Sequence, residues 1–294
     1  MNVINFPNYI ICNNGTKCHS EEALIMLLDR ISFPERLDDM QERWGREYSQ
    51  ISRILDATLR FIDVNHSHLV SNNSIRYFAH RFAYYNRMFK LKYMQVNGVA
   101  AVPLWWDLVA VFTDGTKLYT TRNYRRNFNG WKKRYCLSFL DTTSPCGLIL
   151  EVSACHVGSA NDHLMENAEM LGPRIVQCQL IQRTNCESGT DKGLHRVRGV
   201  RPMHNHLHNN VQQDIENRGF SSCRVTNEHD IGRVAYQWKY LDFPKILQLN
   251  SQPLAIYRRV TTMLTNAITC LDHNSTGRYY NCRPPTLEEY FAYH

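Results

Sequence analysis

No run of apolar residues in this sequence approaches the roughly 20 that a membrane-spanning helix needs. The opening Met1-Asn2-Val3-Ile4-Asn5-Phe6-Pro7-Asn8-Tyr9 has neither a basic start nor a long apolar core. The sequence therefore predicts no membrane span, no secretory signal and an intracellular protein. Closely paired cysteines are missing too: the ten cysteines are scattered from Cys12 to Cys282 without a CxxC spacing, so reduced thiols are expected rather than a disulfide framework. The alternating His204, His206 and His208 have no cysteine or acid at ligand spacing around them, which argues against a zinc site. Nor is there a large charge excess. The 34 basic and 27 acidic residues leave +7, which favours polyanionic partners without specifying one. What the chain does have is core material: 43% of its 294 residues are hydrophobic, enough for one large domain or two modest ones.

The most legible stretch is Leu108-Val109-Ala110-Val111-Phe112-Thr113-Asp114-Gly115-Thr116. Five consecutive apolar residues suit a strand covered on both faces, and Asp114 is expected at its C-terminal end, where open α/β sheets place their ligands. An acid before glycine also suits a plain turn.

Upstream, residues 1–98 read as a helical, helix-turn-helix-like region. Ser20 is expected to cap a helix with an acidic first turn that stops before Pro34. Leu37, Met40 and Trp44 mark a second, short helix before Gly45, and Ile51, Ile54, Leu55, Leu59 and Ile62 the buried stripe of a third. Gln50, Arg53 and Arg60 lie off that stripe, where they could reach DNA; an ordinary three-helix bundle with a solvated face fits the same residues. The stretch Ser74 to Met88 continues as an aromatic-rich basic helix whose rings are expected in the core.

Residues 99–294 read as an α/β domain. Between Arg122 and Arg134 six cations (Arg122, Arg125, Arg126, Lys132, Lys133, Arg134) interleave with Tyr124, Phe128 and Trp131, a composition suited to backbone phosphates and exposed bases, though also to a solvated loop. Tyr135, Leu137 and Phe139, a turn at 143–147, then Leu148, Leu150, Val152 and Ala154 predict an antiparallel hairpin beside the first strand. Asp162 is expected to cap a helix through Leu171. Residues 182–190 are polar, and 183–188 read as too polar for a buried strand. Asp191 follows in a glycine turn. Glu228 is expected to begin a helix and to share its inward face with Ile231, Val234, Ala235, Trp238 and Leu241, and Leu254 to Leu271 to form a structural amphipathic helix.

Asp114, Asp191 and Glu228 are thus three carboxylates able to hold divalent ions jointly. Hard oxygen ligands select Mg²⁺ or Mn²⁺, and two such ions about 4 Å apart activate water and stabilise the leaving oxygen of a phosphodiester.

The set Thr113-Asp114-Gly115-Thr116, Phe128-Asn129-Gly130-Trp131-Lys132-Lys133-Arg134, Gly158-Ser159-Ala160-Asn161-Asp162 and Arg224-Val225-Thr226-Asn227-Glu228-His229-Asp230-Ile231-Gly232 resembles the PIF/Harbinger-type transposases, as does the ending Pro284-Pro285-Thr286-Leu287-Glu288-Glu289-Tyr290. The resemblance implies an RNase H-like DDE nuclease: a mixed sheet flanked by helices, behind an all-α N-terminal region. It makes Asp114 the first catalytic acid, Asp191 the second and Glu228 the third, and it implies DNA as substrate, action in the nucleus and a Myb-like DNA-binding partner. Around Asp191 the family's Gly-Asp-X-Gly-Tyr is here Thr190-Asp191-Lys192-Gly193-Leu194. That departure leaves open a degenerate or domesticated copy that binds DNA or a partner protein without cutting. A hydrolase of some other phosphodiester is a third reading.

Overall fold

The computed structural model describes residues 4–100, 102, 108–190, 198–203, 211–249 and 251–293. At the N-terminal end a hairpin of β1 (Tyr9–Ile11) and β2 (Lys17–His19) precedes α1 (Ser20–Ser32), α2 (Leu37–Trp44) and α3 (Tyr48–His66). The hairpin escapes the sequence because three-residue strands are too short to show an alternation. The helices follow their apolar spacing: Ala23, Met26, Leu27 and Ile31 of α1 are buried, as are Ile51, Ile54, Leu55, Leu59 and Ile62 of α3. Gly45, at φ 61°, ends α2 in the left-handed conformation that lets the chain turn. Ser20 does not cap α1. It is the helix's first residue, and its hydroxyl donates to the Pro7 carbonyl.

The aromatic segment that reads as one helix is two, α4 (Ile75–Phe78) and α5 (Phe82–Asn97), joined by a 3-10 turn over Ala79–Arg81. Phe78, Phe82, Tyr85 and Phe89 are buried, as expected of core aromatics.

The sheet contains β3 (Val109–Tyr119), β4 (Phe128–Asn129), β5 (Arg134–Thr143), β6 (Ile149–Val152), β7 (His156–Val157), β8 (Glu187–Thr190) and β9 (Val200–Pro202), in the order β4-β5-β3-β8-β9 with β6 and β7 also paired to β5. β5 and β6 form the expected antiparallel hairpin, and β5 lies antiparallel to β3. β8 and β9 run parallel to β3. Helices α6 (Asp162–Glu169), α7 (Leu171–Gln182), α8 (Val211–Gln237), α9 (Leu254–Leu271), α10 (Ser275–Tyr280) and α11 (Leu287–Phe291) complete the chain. A mixed sheet flanked by helices, behind a helical N-terminal region, is the expected architecture. No helix among the described residues is long and apolar enough to cross a membrane, and all ten cysteines are free thiols.

Three further expectations fail, each for a physical reason. β3 does not stop at Asp114. It continues to Tyr119 because β5 pairs with its polar half, in the register Asp114↔Asp141 through Tyr119↔Cys136. β8 is a buried strand despite its polarity. The Thr113 hydroxyl lies 2.8 Å from both the Thr142 and the Ser188 hydroxyls, so the sheet centre is satisfied by hydroxyl bonds in place of hydrocarbon. Gly189 lets Phe112 and Phe220 close over it: a Cβ there would stand 2.7 Å from Phe112. Finally, Glu228 does not begin a helix but lies well inside α8, which is described from Val211 on. Val225 and Tyr236 are exposed on it while Asn217, Asn227 and Asp230 are buried, so apolar spacing could not reveal its inward face.

The helical region and the sheet share one continuous apolar core. Polar contacts cross between them: the Asn86 amide donates to the Val109 carbonyl at 2.7 Å, the Ser74 hydroxyl to the Leu150 carbonyl at 2.6 Å, and Arg259 of α9 forks onto the Asp63 carboxylate of α3 at 2.7 and 2.8 Å. α9 is buried almost all round. Its Thr261, Thr262, Thr265 and Thr269 hydroxyls donate back to carbonyls one turn earlier, while the apolar Ile268 and Leu271 are exposed.

The acid that does face inward on α8 is Asp230, which is 2% exposed. It accepts from the Thr276 hydroxyl at 2.9 Å and lies 3.7 Å from Arg233. Burial nevertheless pushes its carboxyl up to about 7 from 3.8. The folded chain therefore holds a proton that the unfolded chain loses near pH 4. The stability this gives is fully present below pH 4 and disappears as pH rises through 7. Asp230→Asn keeps the acceptor for Thr276 and removes the titration. Its stability relative to wild type should climb between pH 5 and 8 by on the order of 3 kcal/mol, read from urea melts at each pH. A difference that stays flat across that range would contradict this assignment.

Candidate active site and nucleic-acid interface

Thr113, the residue before Asp114, pairs in parallel register with Thr190 of β8, the last described residue before 191–197. One Asp114 carboxylate oxygen accepts from the Gly115 N–H at 2.9 Å, and the other accepts from Arg224 Nη1 of α8 at 3.0 Å. The second arm of the same guanidinium, Nη2, reaches Glu228 Oε1 at 2.7 Å. One cation thus joins two acids that are far apart in sequence. Glu228 is not on the core-facing stripe, as its spacing suggested; its side chain is 48% exposed and turned to the Asp114 side, while Asp230 and Asn227 face inward. Burial pushes the Asp114 carboxyl up to about 6, against the pull of Arg224 and the Gly115 N–H, and the charges of Asp162 and Glu228 add to the rise.

Asp162 is not the helix cap. Asn161 is, its side chain accepting from the Leu164 N–H at 2.8 Å. That leaves the Asp162 carboxylate packed on the backbone of Gly115: a Cβ at 115 would stand 2.2 Å from its Oδ1, so only glycine admits the contact. Directly across the strands from Asp114 is Asp141, wholly buried and ion-paired with Arg258 of α9. Opposed acids repel, and here each has its own arginine.

Asp191 lies outside the described residues, as do His204, His206 and His208. Among the described residues no three His, Cys, Asp or Glu side chains are grouped to hold a metal ion. Asp114 and Glu228 nevertheless offer hard oxygen donors to a shared positive charge, the donor chemistry of a divalent cation, and Arg224 fills that role here.

Arg122, Arg125, Arg126, Trp131, Lys132, Lys133 and Arg134 are all exposed. Two of the arginines lie over rings of their own chain: Arg126 over Tyr124 at 5.5 Å and Arg134 over Tyr119 at 4.9 Å. The Asn129 side chain pins the turn that follows β4, accepting from the Lys132 N–H at 2.8 Å and donating to the Gly158 carbonyl at 2.8 Å. On α3, Arg53 is exposed and bonds Ser49, Gln50 is half-buried, and Arg60 is paired with Asp56 at 2.8 Å.

Sequence reasoning missed Arg224, Asp141 and Arg258. Arg224 carried a readable signal, since it sits four residues before Glu228 on a helix. Residues 113–266, just over half of the chain, match the family model described as DDE superfamily endonuclease. The matched span holds Asp114, Asp162, Asp191, Arg224, Glu228 and the whole basic segment. No curated protein and no solved structure matches the chain.

Proposed function

We propose that this chain, which belongs to the DDE superfamily endonucleases, is a transposase-derived nuclease of PIF/Harbinger type that hydrolyses phosphodiester bonds in DNA. The observation that carries the reading is the convergence of Asp114 and Glu228 on one cation, one residue beyond the Thr113↔Thr190 pair of β3 and β8. Asp191 is the third acid of this proposal. Its support is topological: it is peptide-bonded to Thr190, which is in register with Thr113, the residue before Asp114.

Asp114, Asp191 and Glu228 would hold Mg²⁺ or Mn²⁺, two ions in the full site. Bound there, the ions activate water and stabilise the leaving oxygen of the cut strand. The chain's own part is orientation and charge. Asp114 is ionised above about pH 6 and so offers its carboxylate at neutral pH. With Asp114 and Glu228 engaged by ions, Arg224 would present a forked donor suited to phosphate oxygens. The exposed cations from Arg122 to Arg134, with Arg53 and Gln50 on α3, meet the DNA backbone. The PIF/Harbinger resemblance adds a nuclear place of action and a Myb-like partner to the proposal.

The test is nicking of supercoiled DNA by the purified chain with Mg²⁺ or Mn²⁺, with EDTA as the control. Metal-dependent nicking supports the endonuclease. The second reading, a copy that binds DNA without cutting, is favoured by the Arg224 bridge, because a guanidinium already neutralises the two acids. DNA binding without nicking under any of these conditions would select it.

A further inference from the structure

We propose that the groove beside Trp131 holds one unpaired base of the DNA strand, next to the site of cutting. The inference rests on the DNA-endonuclease reading and names a contact that reading lacks. Trp131 is 88% exposed, although its indole is among the largest apolar groups in the chain. It stands over a cavity of about 500 Å³ whose other walls include Lys117, Lys132, Ser159 and Asp162.

The turn that presents Trp131 is built rather than loose. Asn129 ties it to both Lys132 and Gly158, and Lys133 closes it at φ 54°, a left-handed conformation that costs energy for a residue with a side chain. The opposite wall is fixed as well. Lys117 donates to the Ser138 hydroxyl at 2.8 Å and to the Ala160 carbonyl at 3.1 Å, and the Ser159 N–H donates to the Arg126 carbonyl at 3.2 Å.

Three features identify the occupant. An aromatic face held open to solvent stacks on any base, without regard to sequence. A paired base is already stacked on both sides, so the base must be unpaired. Lys132, Lys133 and Arg134 follow Trp131 directly, all exposed, and supply the charge to hold the strand that carries it. The place fits too. Lys117 lies three residues beyond Asp114 on β3, about 10 Å along the strand, and Asp162, which lines the groove, touches the Gly115 backbone. A strand whose phosphate lies at Asp114 brings a neighbouring base to the groove.

The experiment measures equilibrium binding by fluorescence anisotropy in EDTA, so that no cutting intervenes. The probes are a labelled oligothymidylate and a blunt duplex of the same length, titrated with wild type, Trp131→Ala and Trp131→Phe. Trp131→Ala should weaken single-strand binding on the order of tenfold. Trp131→Phe should retain most of it, and both variants should bind the duplex as wild type does. Equal losses on both probes, no loss on the oligothymidylate, or no single-strand binding by wild type would overturn the proposal. The two readings fail separately. Nicking by a protein whose single-strand binding ignores Trp131 removes the base site and keeps the endonuclease. Trp131-dependent single-strand binding without nicking does the reverse.

Discussion

Asp114→Asn and Glu228→Gln should each lower metal-dependent nicking by about 10³-fold or more, because an ion worth several kcal/mol to the transition state is lost with its ligand. Both replacements are isosteric amides, so the fold should survive. In Asp114→Asn the side-chain oxygen can still accept from the Gly115 N–H, and Arg224 keeps Glu228. Asp191→Asn belongs in the same series, as the direct test of the proposed third acid. The decisive readout is the rate at saturating Mn²⁺ beside a thermal melt. A loss of nicking in a variant that melts like wild type places the residue in the chemistry. Undiminished nicking by Asp114→Asn would remove the proposed site, whatever the other two variants did.

The second large effect is on stability. Arg258→Met should destabilise the fold by about 3–5 kcal/mol, the usual result of leaving one half of a buried ion pair alone. Asp141 is wholly buried, and Arg258 is its ion-pair partner. Burial already pushes the Asp141 carboxyl up, and Arg258 is the main group holding it down. The double variant Arg258→Met with Asp141→Leu should recover most of the loss, since a well-packed apolar pair is a workable substitute for a buried ionic one. Urea unfolding of the two single variants and the double closes the cycle. Additive losses, with no recovery in the double, would show that the two side chains matter separately and not as a pair.

How much of this was legible depends on what each segment buries. The β5–β6 hairpin, α9 and the first half of β3 could be read because apolar residues mark what faces the core. β8 could not, because Ser188 is buried through a hydroxyl bond to Thr113, and Thr190 through a register that only the folded sheet supplies. Asp114 was singled out as a candidate site residue but placed at a strand end, since nothing in Asp114 to Tyr119 announces that β5 will pair with it. Glu228 was likewise a candidate but put on the wrong face: Asp230, two residues on, is the acid the core takes in. Asn161 and Asp162 are both good caps, and the sequence cannot choose between neighbours. The choice falls to Gly115, whose bare backbone receives the Asp162 carboxylate. Arg224 was visible as a helical partner of Glu228, but its bond to Asp114 depends on how α8 crosses β3.

The core shared by the N-terminal helices and the sheet gives the molecule a built-in ruler. Arg259 forks onto Asp63 from one side and Asn86 holds Val109 from the other, so α3 and the acids belong to a single packed body. On the proposed reading, DNA gripped by Arg53 would be held at an offset from Asp114 that packing sets, with no slack for a linker to take up. Cuts should fall at one constant spacing from the protected footprint, and loosening the Asp63–Arg259 fork should blur that spacing before it abolishes cutting.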